Sequence, residues 1–521
     1  MKKWFCLFVL FTISSLWSQP QPGDVFREYR WFKKDGDAGQ SLRVGGREGT
    51  TNWNTSIVDD HWETVNIDFP FDVDLEHAIR AEINVEKILC HDGTRGLAIQ
   101  WNDRDWIAIP EARTIPAPQW QYQHHIYPYV SIPLQDIQPG KTNRFKMRVS
   151  TEHTWNWPQN LIYGMHLLIY YDQNKSHPTG TLTGIQSGDR IGRTVEFGVE
   201  ASSPNSEISR VDFIGKYEDV NFEGDGVYRQ WHYHFFHGEI MHHLGSALSS
   251  PWQIRWNTEW VPDQQEPMQL AARIIDKTGL IYFTKAITEL ALDRPGLSVE
   301  LCKPYDIPQL WVTRKNEFTQ KINIQGDLNF ATAYQLVWAS WSPGYMNGVY
   351  VNDSRVFDKE GPNYAYYAHR ITLEDVSVLK AGENLIKTGK TPKINGKMVH
   401  GMEVEYPGIM VLVKYEQTSK TDAGKPDKDR EFDLIGNYPN PFNPQTTISY
   451  SVTKANEVRL DIYDLAGRLV CTPIDEFLPA GKYETIWPGR DDAGRRVASG
   501  VYLCDFSLGD QKLYNKMLLM R

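Results

Sequence analysis

Asn437-Tyr438-Pro439-Asn440-Pro441-Phe442-Asn443-Pro444, then Ile462-Tyr463-Asp464-Leu465-Ala466-Gly467-Arg468-Leu469-Val470, then Val497-Ala498-Ser499-Gly500-Val501-Tyr502 set the fold of the chain's last part. Pro439, Pro441 and Pro444 forbid a helix and favour an extended entry. Val458 to Tyr463 alternates apolar and polar residues, as a half-buried strand does. Asp464 to Arg468 supplies turn residues, and Leu469-Val470-Cys471 resumes as the next strand. Ala480-Gly481-Lys482 and Asp491-Asp492-Ala493-Gly494 are two further hairpin turns. Gly500 to Phe506 makes a late strand, and Lys516 to Arg521 is a basic-apolar end. The segment 432–521 therefore reads as a small antiparallel, Ig-like sandwich.

This order of motifs resembles the type A C-terminal sorting domain of the type IX secretion system of Bacteroidetes and related Gram-negative bacteria. The fixed points that carry the resemblance are Asn437, Pro439, Asn440, Pro441, Phe442, Gly467, Gly500, Tyr502 and Lys516. The resemblance implies export to the outer cell surface or medium through the type IX machinery. It also implies a choice between release and lipid anchoring once the sorting domain is cleaved.

The opposite end agrees. Lys2-Lys3, an apolar run from Trp4 to Ile13 and small residues near Ser18 read as a signal peptide over 1–18. That run is too short to span a bilayer, and no other stretch is long and apolar enough for a transmembrane helix. A net charge of -10 with no basic block disfavours nucleic acid and anionic lipid as partners. No CxxC pair is present, so a zinc ribbon or redox motif is not expected. Cys471 and Cys504 both fall on expected strands and could pair in an oxidising compartment. Cys90 with Cys302 would join different domains and is not favoured.

The middle of the chain carries an internal duplication. Ile99-Gln100-Trp101-Asn102-Asp103 is followed by Ile132-Pro133-Leu134-Gln135-Asp136-Ile137, then Gly140 and Asn143, then an apolar run from Met165 to Tyr171. Val349-Tyr350-Val351-Asn352-Asp353 is followed by Ile371 to Val376, then Gly382-Glu383-Asn384 and an apolar run from Ile409 to Tyr415. Matching points lie roughly 240–250 residues apart. The pattern resembles galactose-binding-like jelly rolls, at 19–175 and 296–416. Between them, 185–295 reads as another sandwich, and Trp252 to Asp276 resembles the closing strands of Ig-like adhesion modules. Residues 417–431 are a polar linker. The whole is expected to be all-β and multidomain.

One constellation carries chemistry. Residues 231–243 hold His232, His234, His237, His242 and His243, five of the chain's 15 histidines. If 231–235 is a strand, His232 and His234 share one face while Trp231, Tyr233 and Phe235 share the other. Two imidazoles so placed begin a zinc or copper site that His237, Glu239 or His242 would complete. The plainer reading is a sheet cover of ring side chains with polar tips. Upstream, Asp219, Asn221, Glu223 and Asp225 alternate before Gly224 and Gly226, as calcium loops begin. Gln230 at the twelfth position excludes an EF-hand, leaving a looser calcium turn or an acidic hairpin loop.

Aromatic residues in non-periodic stretches are candidate sugar platforms. They are Trp101, Trp106, Trp120, Tyr122, Trp155 and Trp157 in the first copy, and Trp341 and Tyr345 in the second. Together these features favour non-catalytic binding of an extracellular polysaccharide. A polysaccharide-active or other hydrolase centred on 232–243, or a protein-binding adhesin, are the alternatives.

Overall fold

A computed structural model describes residues 19–32, 42–44, 58–60, 63–89, 95–111, 114–150, 160–236, 239–416, 432–438, 442, 444–452, 454–464, 467–508 and 511–519. The chain is all-β, with only single turns of 3₁₀ helix between strands. It divides into two compact units, Met1–Gln417 and Thr418–Arg521. Among the described residues no helix is long and apolar enough to cross a membrane. The expected signal peptide and linker lie outside the described residues.

In the first unit, two sandwiches share a sheet. Strand Val25–Phe32 pairs along its whole length with Asn160–Tyr171, and its first three residues pair on the other edge with Leu280–Phe283. A single twelve-stranded sheet therefore runs from the N-terminal sandwich into the middle one. A six-stranded sheet closes the N-terminal core, and the three-stranded sheet of Thr179–Thr183, Thr194–Ser202 and Gln253–Asn257 closes the middle core. The third sandwich stacks a five-stranded sheet on a four-stranded one around Trp311, Leu336, Trp338 and Val411.

The duplicated residues carry the same device in both copies. The Asn102 side-chain amide donates to the Asp136 carbonyl (2.7 Å) and to Asn143 Oδ1 (2.7 Å), while Asn102 Oδ1 accepts from the Arg144 backbone (2.8 Å). Asn352 repeats this with the Val378 carbonyl (2.7 Å), Asn384 Oδ1 (3.0 Å) and the Leu385 backbone (3.1 Å). Both residues hold left-handed backbone, φ 48° and 53°, a conformation asparagine tolerates best among residues with a Cβ. Asn384 has no exposed surface, and its side chain also closes the 380–384 turn. Asn384→Ala strands several buried polar groups, so it is expected to cost about 2–3 kcal/mol in urea unfolding. Asn143→Ala should match it in the first copy; a loss below about 0.5 kcal/mol in both would refute the shared brace.

Strand Asn160–Tyr171 is buried at every position because both its faces are covered, which explains its unbroken apolar run. Met165, Leu167 and Ile169 enter the N-terminal core. Leu168 and Tyr170 point the other way and meet Trp231, Tyr233 and Phe235. The third sandwich behaves alike: Leu336, Trp338 and Val411 face its core, while Val337, Met410 and Leu412 face Val220 of the middle region.

The second unit packs a three-stranded sheet, Phe432–Tyr438, Thr446–Val452 and Gly481–Trp487, on a four-stranded one. Its motif residues hold this sandwich. Asn437 bonds Thr446 (2.9 Å) and accepts from Asn515 (2.7 Å). Phe442 packs on Trp487 with ring centroids 5.3 Å apart, and its backbone donates to Leu518. Gly467, at φ 74°, closes the turn onto Asp464. Tyr502 donates to the Ala498 carbonyl (2.7 Å); Gly500 and Lys516 pair in register with Leu519 and Leu503. Pro439, Asn440 and Pro441 lie outside the described residues. The expected Cys471–Cys504 pairing is not formed. Both thiols are buried and free, and Ile462 lies between them as the shared strand partner. Two strand spacings separate them, roughly 9–10 Å, beyond disulfide reach.

Candidate functional site

The three sandwiches of the first unit meet around two segments of the middle region. Asp219–Val220 pairs with Val227–Tyr228 as a hairpin whose tip turns on Gly224 (φ 71°) and Gly226 (φ 91°). A Cβ on Gly224 would sit 3.0 Å from Thr114 of the first sandwich, and one on Gly226 3.1 Å from Met410 of the third. The hairpin is thus wedged between its neighbours. The His-rich segment lies beside it. Only His234–Phe236 is a strand, paired with Glu239–Met241, yet the expected alternation holds. Trp231, Tyr233 and Phe235 cover the shared sheet. His232 and His234 face the opposite way, against Tyr217 and Tyr228 (4.1 Å each) and against Tyr127 (4.4 Å), respectively.

A chain of ring contacts crosses this junction. Tyr366 of the third sandwich meets His125 of the first (4.9 Å), and His125 meets Tyr127 (4.6 Å). Tyr127 stacks on His234, which meets His242 (5.0 Å), which in turn meets Phe222 (5.6 Å). Tyr127, Glu223, His242 and Tyr366 each keep part of their surface open to solvent. Burial nonetheless dominates their titration. It raises Tyr127 and Tyr366 well above the usual phenol range, lifts Glu223 to about 7 and lowers His242 to about 4. Both properties coincide at the floor of a deep cleft, where water reaches a group that low-dielectric protein surrounds.

Acidic groups of the third sandwich close the far side. On strand Glu403–Val404, Val404 enters the core while Glu403 points out, accepting a hydrogen bond from the Gln123 amide of the first sandwich. Burial pushes Glu403 to about 8. Burial and then Glu403 raise Glu405 well above its ordinary value.

The residues expected to bind metal are individually engaged. His232 Nε2 bonds the Tyr217 carbonyl (3.0 Å) and His234 Nδ1 the Tyr228 hydroxyl (2.9 Å). Asn221 and Asp225 receive backbone N–H groups of their own hairpin, and Asp225 also pairs with Arg229 (3.0 Å). Glu223 accepts from the Tyr127 backbone (2.8 Å), and Asp219 is influenced by Arg370. Glu239 pairs across the hairpin with Phe236; His237 lies outside the described residues. Among the described residues no three His, Cys, Asp or Glu side chains gather as a metal site.

Of the expected platforms, Trp101 and Trp341 are core residues, 1% and 5% exposed. Trp106 is half-buried under the Arg148 guanidinium (4.2 Å), and Tyr122 packs edge-on against Tyr406 (5.2 Å). Trp120 lies in a 3₁₀ turn, and Trp155 and Trp157 lie outside the described residues. Tyr345 is half-exposed and meets Tyr364 edge-on at 5.6 Å, and Tyr364 meets His400 at 5.5 Å. Tyr364 and Ser342 both hold left-handed backbone, φ 56° and 54°, and Ser342 Oγ accepts from the Tyr364 backbone (2.8 Å). His400 was not singled out from the sequence; it lies far along the chain from Tyr364 and no local pattern joins them.

Fold and C-terminal unit together define an exported, multidomain all-β protein. Residues 437–520 match the family model of the secretion system C-terminal sorting domain, so the chain is delivered to the cell surface or extracellular space by type IX secretion. No curated protein matches the chain at a significant level. Similar solved structures include the fibronectin(III)-like modules of Clostridium thermocellum CbhA, at 16% identity over 22% of this chain and 98% of that one, TM-score 0.15. Dimeric latent PorU from Porphyromonas gingivalis matches at 12% identity over 68% and 35%, TM-score 0.19. Bacteroides uniformis β-glucuronidase 2 matches at 11% over 42% and 32%, TM-score 0.20. The chain thus spans about a third of the length of the latter two, and likenesses at these scores bear on neither fold nor activity.

Proposed function

We propose that this exported protein binds an extracellular glycan without cleaving it, through the Tyr345–Tyr364–His400 cluster. The observation that carries the reading is Tyr364, 37% exposed and held in left-handed backbone beside Tyr345. Strained non-glycine backbone is retained where a surface must be pre-shaped. The edge-on arrangement leaves ring face open for the apolar face of a sugar, while His400 supplies a polar rim.

Affinity electrophoresis of the full-length protein through gels cast with plant, algal and microbial polysaccharides tests this. Tyr364→Ala is expected to weaken retardation by one polymer about tenfold, the scale of a lost stacking contact of about 1.4 kcal/mol. Trp106→Ala should leave it intact, because Arg148 already covers that ring. Retardation unchanged by Tyr364→Ala, or absent in every gel, counts against the reading. New chain ends appearing in the retarded lane would favour the hydrolytic alternative.

A further inference from the structure

We infer that the junction cleft is a binding site for a small organic ammonium ion, independent of the glycan surface. Glu223 reaches the cleft from the middle region and Glu405 from the third sandwich. Glu405 is 2% exposed, and neither of its carboxyl oxygens has a hydrogen-bond partner. Glu223 has one, the Tyr127 backbone N–H. Nearby cations are already engaged: Lys87 pairs with Glu111 (3.2 Å) and Arg370 bonds Gln335 (2.9 Å).

Two carboxyl groups sunk in protein without counter-charge are matched either by protons or by a cation that enters. The rings beside them fit the second answer. Tyr127, Tyr366 and Phe222 present π faces along the cleft, and Tyr127 and Tyr366 remain open to solvent. A ring wall with anionic groups behind it attracts an alkylammonium more strongly than a hydrated metal ion, which needs converging oxygens that are not gathered here.

Choline and its neutral isostere 3,3-dimethylbutan-1-ol separate charge from shape, and putrescine tests a primary amine. Choline or putrescine at millimolar concentration is expected to raise the Tm of the full-length protein, and the alcohol to leave it unchanged. Affinity should tighten about threefold or more from pH 6 to pH 8, as Glu223 sheds the proton that burial makes it hold. The facing groups are Tyr127, Tyr228, Tyr366, Glu86, Glu403, His125, His234 and His242, with Asp219 beside Arg370. Glu403, held at about 8, also gains charge in that window and works in the same direction.

Glu405→Gln should abolish the choline shift and leave the ligand-free Tm equal or higher, because an unmatched carboxyl has been removed. Glu223→Gln, which keeps an oxygen for the Tyr127 N–H, is the second variant and should weaken binding about tenfold. An equal shift with the neutral alcohol, no shift with either amine, or undiminished binding in both variants would overturn the site.

Discussion

Acidification from pH 7 to pH 4 is expected to unfold the first unit while the C-terminal unit stays folded. His124, His166, His232, His234 and His369 are buried, at most 6% exposed. Burial lowers His124, His232 and His369 to about 3 and the other two well below the ordinary value. A histidine lowered in the folded state binds its proton in the unfolded state first. Its contribution to stability is complete above about 6.5 and is lost as pH falls towards the folded value. A ring held near 3 forfeits about 3 kcal/mol at pH 4, and five such rings exceed the roughly 5–15 kcal/mol of a whole domain.

Glu403 and Glu405 act in the opposite sense. Their raised folded values favour folding at low pH and cost stability as pH rises from about 4.5 through 8. Stability of the first unit should therefore peak in mildly acidic solution and fall on both sides. The C-terminal unit contains no histidine. The Arg495 backbone N–H holds its Asp491 below the usual carboxylate range, so that contribution persists to about pH 4. Thermal scans by circular dichroism at half-unit pH steps should resolve an acid-labile transition and an acid-resistant one. A single transition indifferent to pH between 4 and 7 would contradict the neutral buried histidines.

Arg273→Met is the second large expected effect. Arg273 is 0% exposed and bonds Glu28 Oε2 (2.6 Å) and Asp212 Oδ2 (2.8 Å), with its guanidinium 4.6 Å from the Tyr233 ring centre. Burial acts to raise Asp212, but Arg273 and Arg210 more than offset it and hold the carboxyl below its ordinary range. Removing the arginine leaves two carboxylates in low dielectric, which costs about 3–5 kcal/mol. Urea unfolding of Arg273→Met should show that loss. The triple change Glu28→Gln, Asp212→Asn, Arg273→Met should recover much of it, because no unmatched charge remains. A single variant within about 1 kcal/mol of the parent would show that water already screens the pair.

What the sequence revealed was local. The sorting domain was legible because its turns are written in Gly, Pro and Asn at fixed points, each with one conformational task. The duplication was legible because Asn102 and Asn143, like Asn352 and Asn384, must sit at one spacing for their amides to meet. The His-rich alternation was visible too. Its covering was not, since Leu168, Tyr170 and Phe283 come from distant strands. Glu403 and Glu405, flanking Val404, read as the wet face of an ordinary half-buried strand. Only the packing of the first sandwich, through Gln123, turns that face inward. Trp101 and Trp341 misled for the same reason: a tryptophan in an irregular stretch looks alike whether a neighbouring sheet covers it or not.

Strand Val25–Phe32 imposes a folding schedule. It emerges first from the ribosome, yet its second edge partner, Leu280–Phe283, follows about 250 residues later, and loops that long close slowly. Until then the strand can pair with Asn160–Tyr171 but leaves a bare apolar edge, the kind of surface on which chains aggregate. A nascent chain shorter than about 285 residues is therefore a client for a holding chaperone, and truncation between the first and middle sandwiches should give an insoluble product.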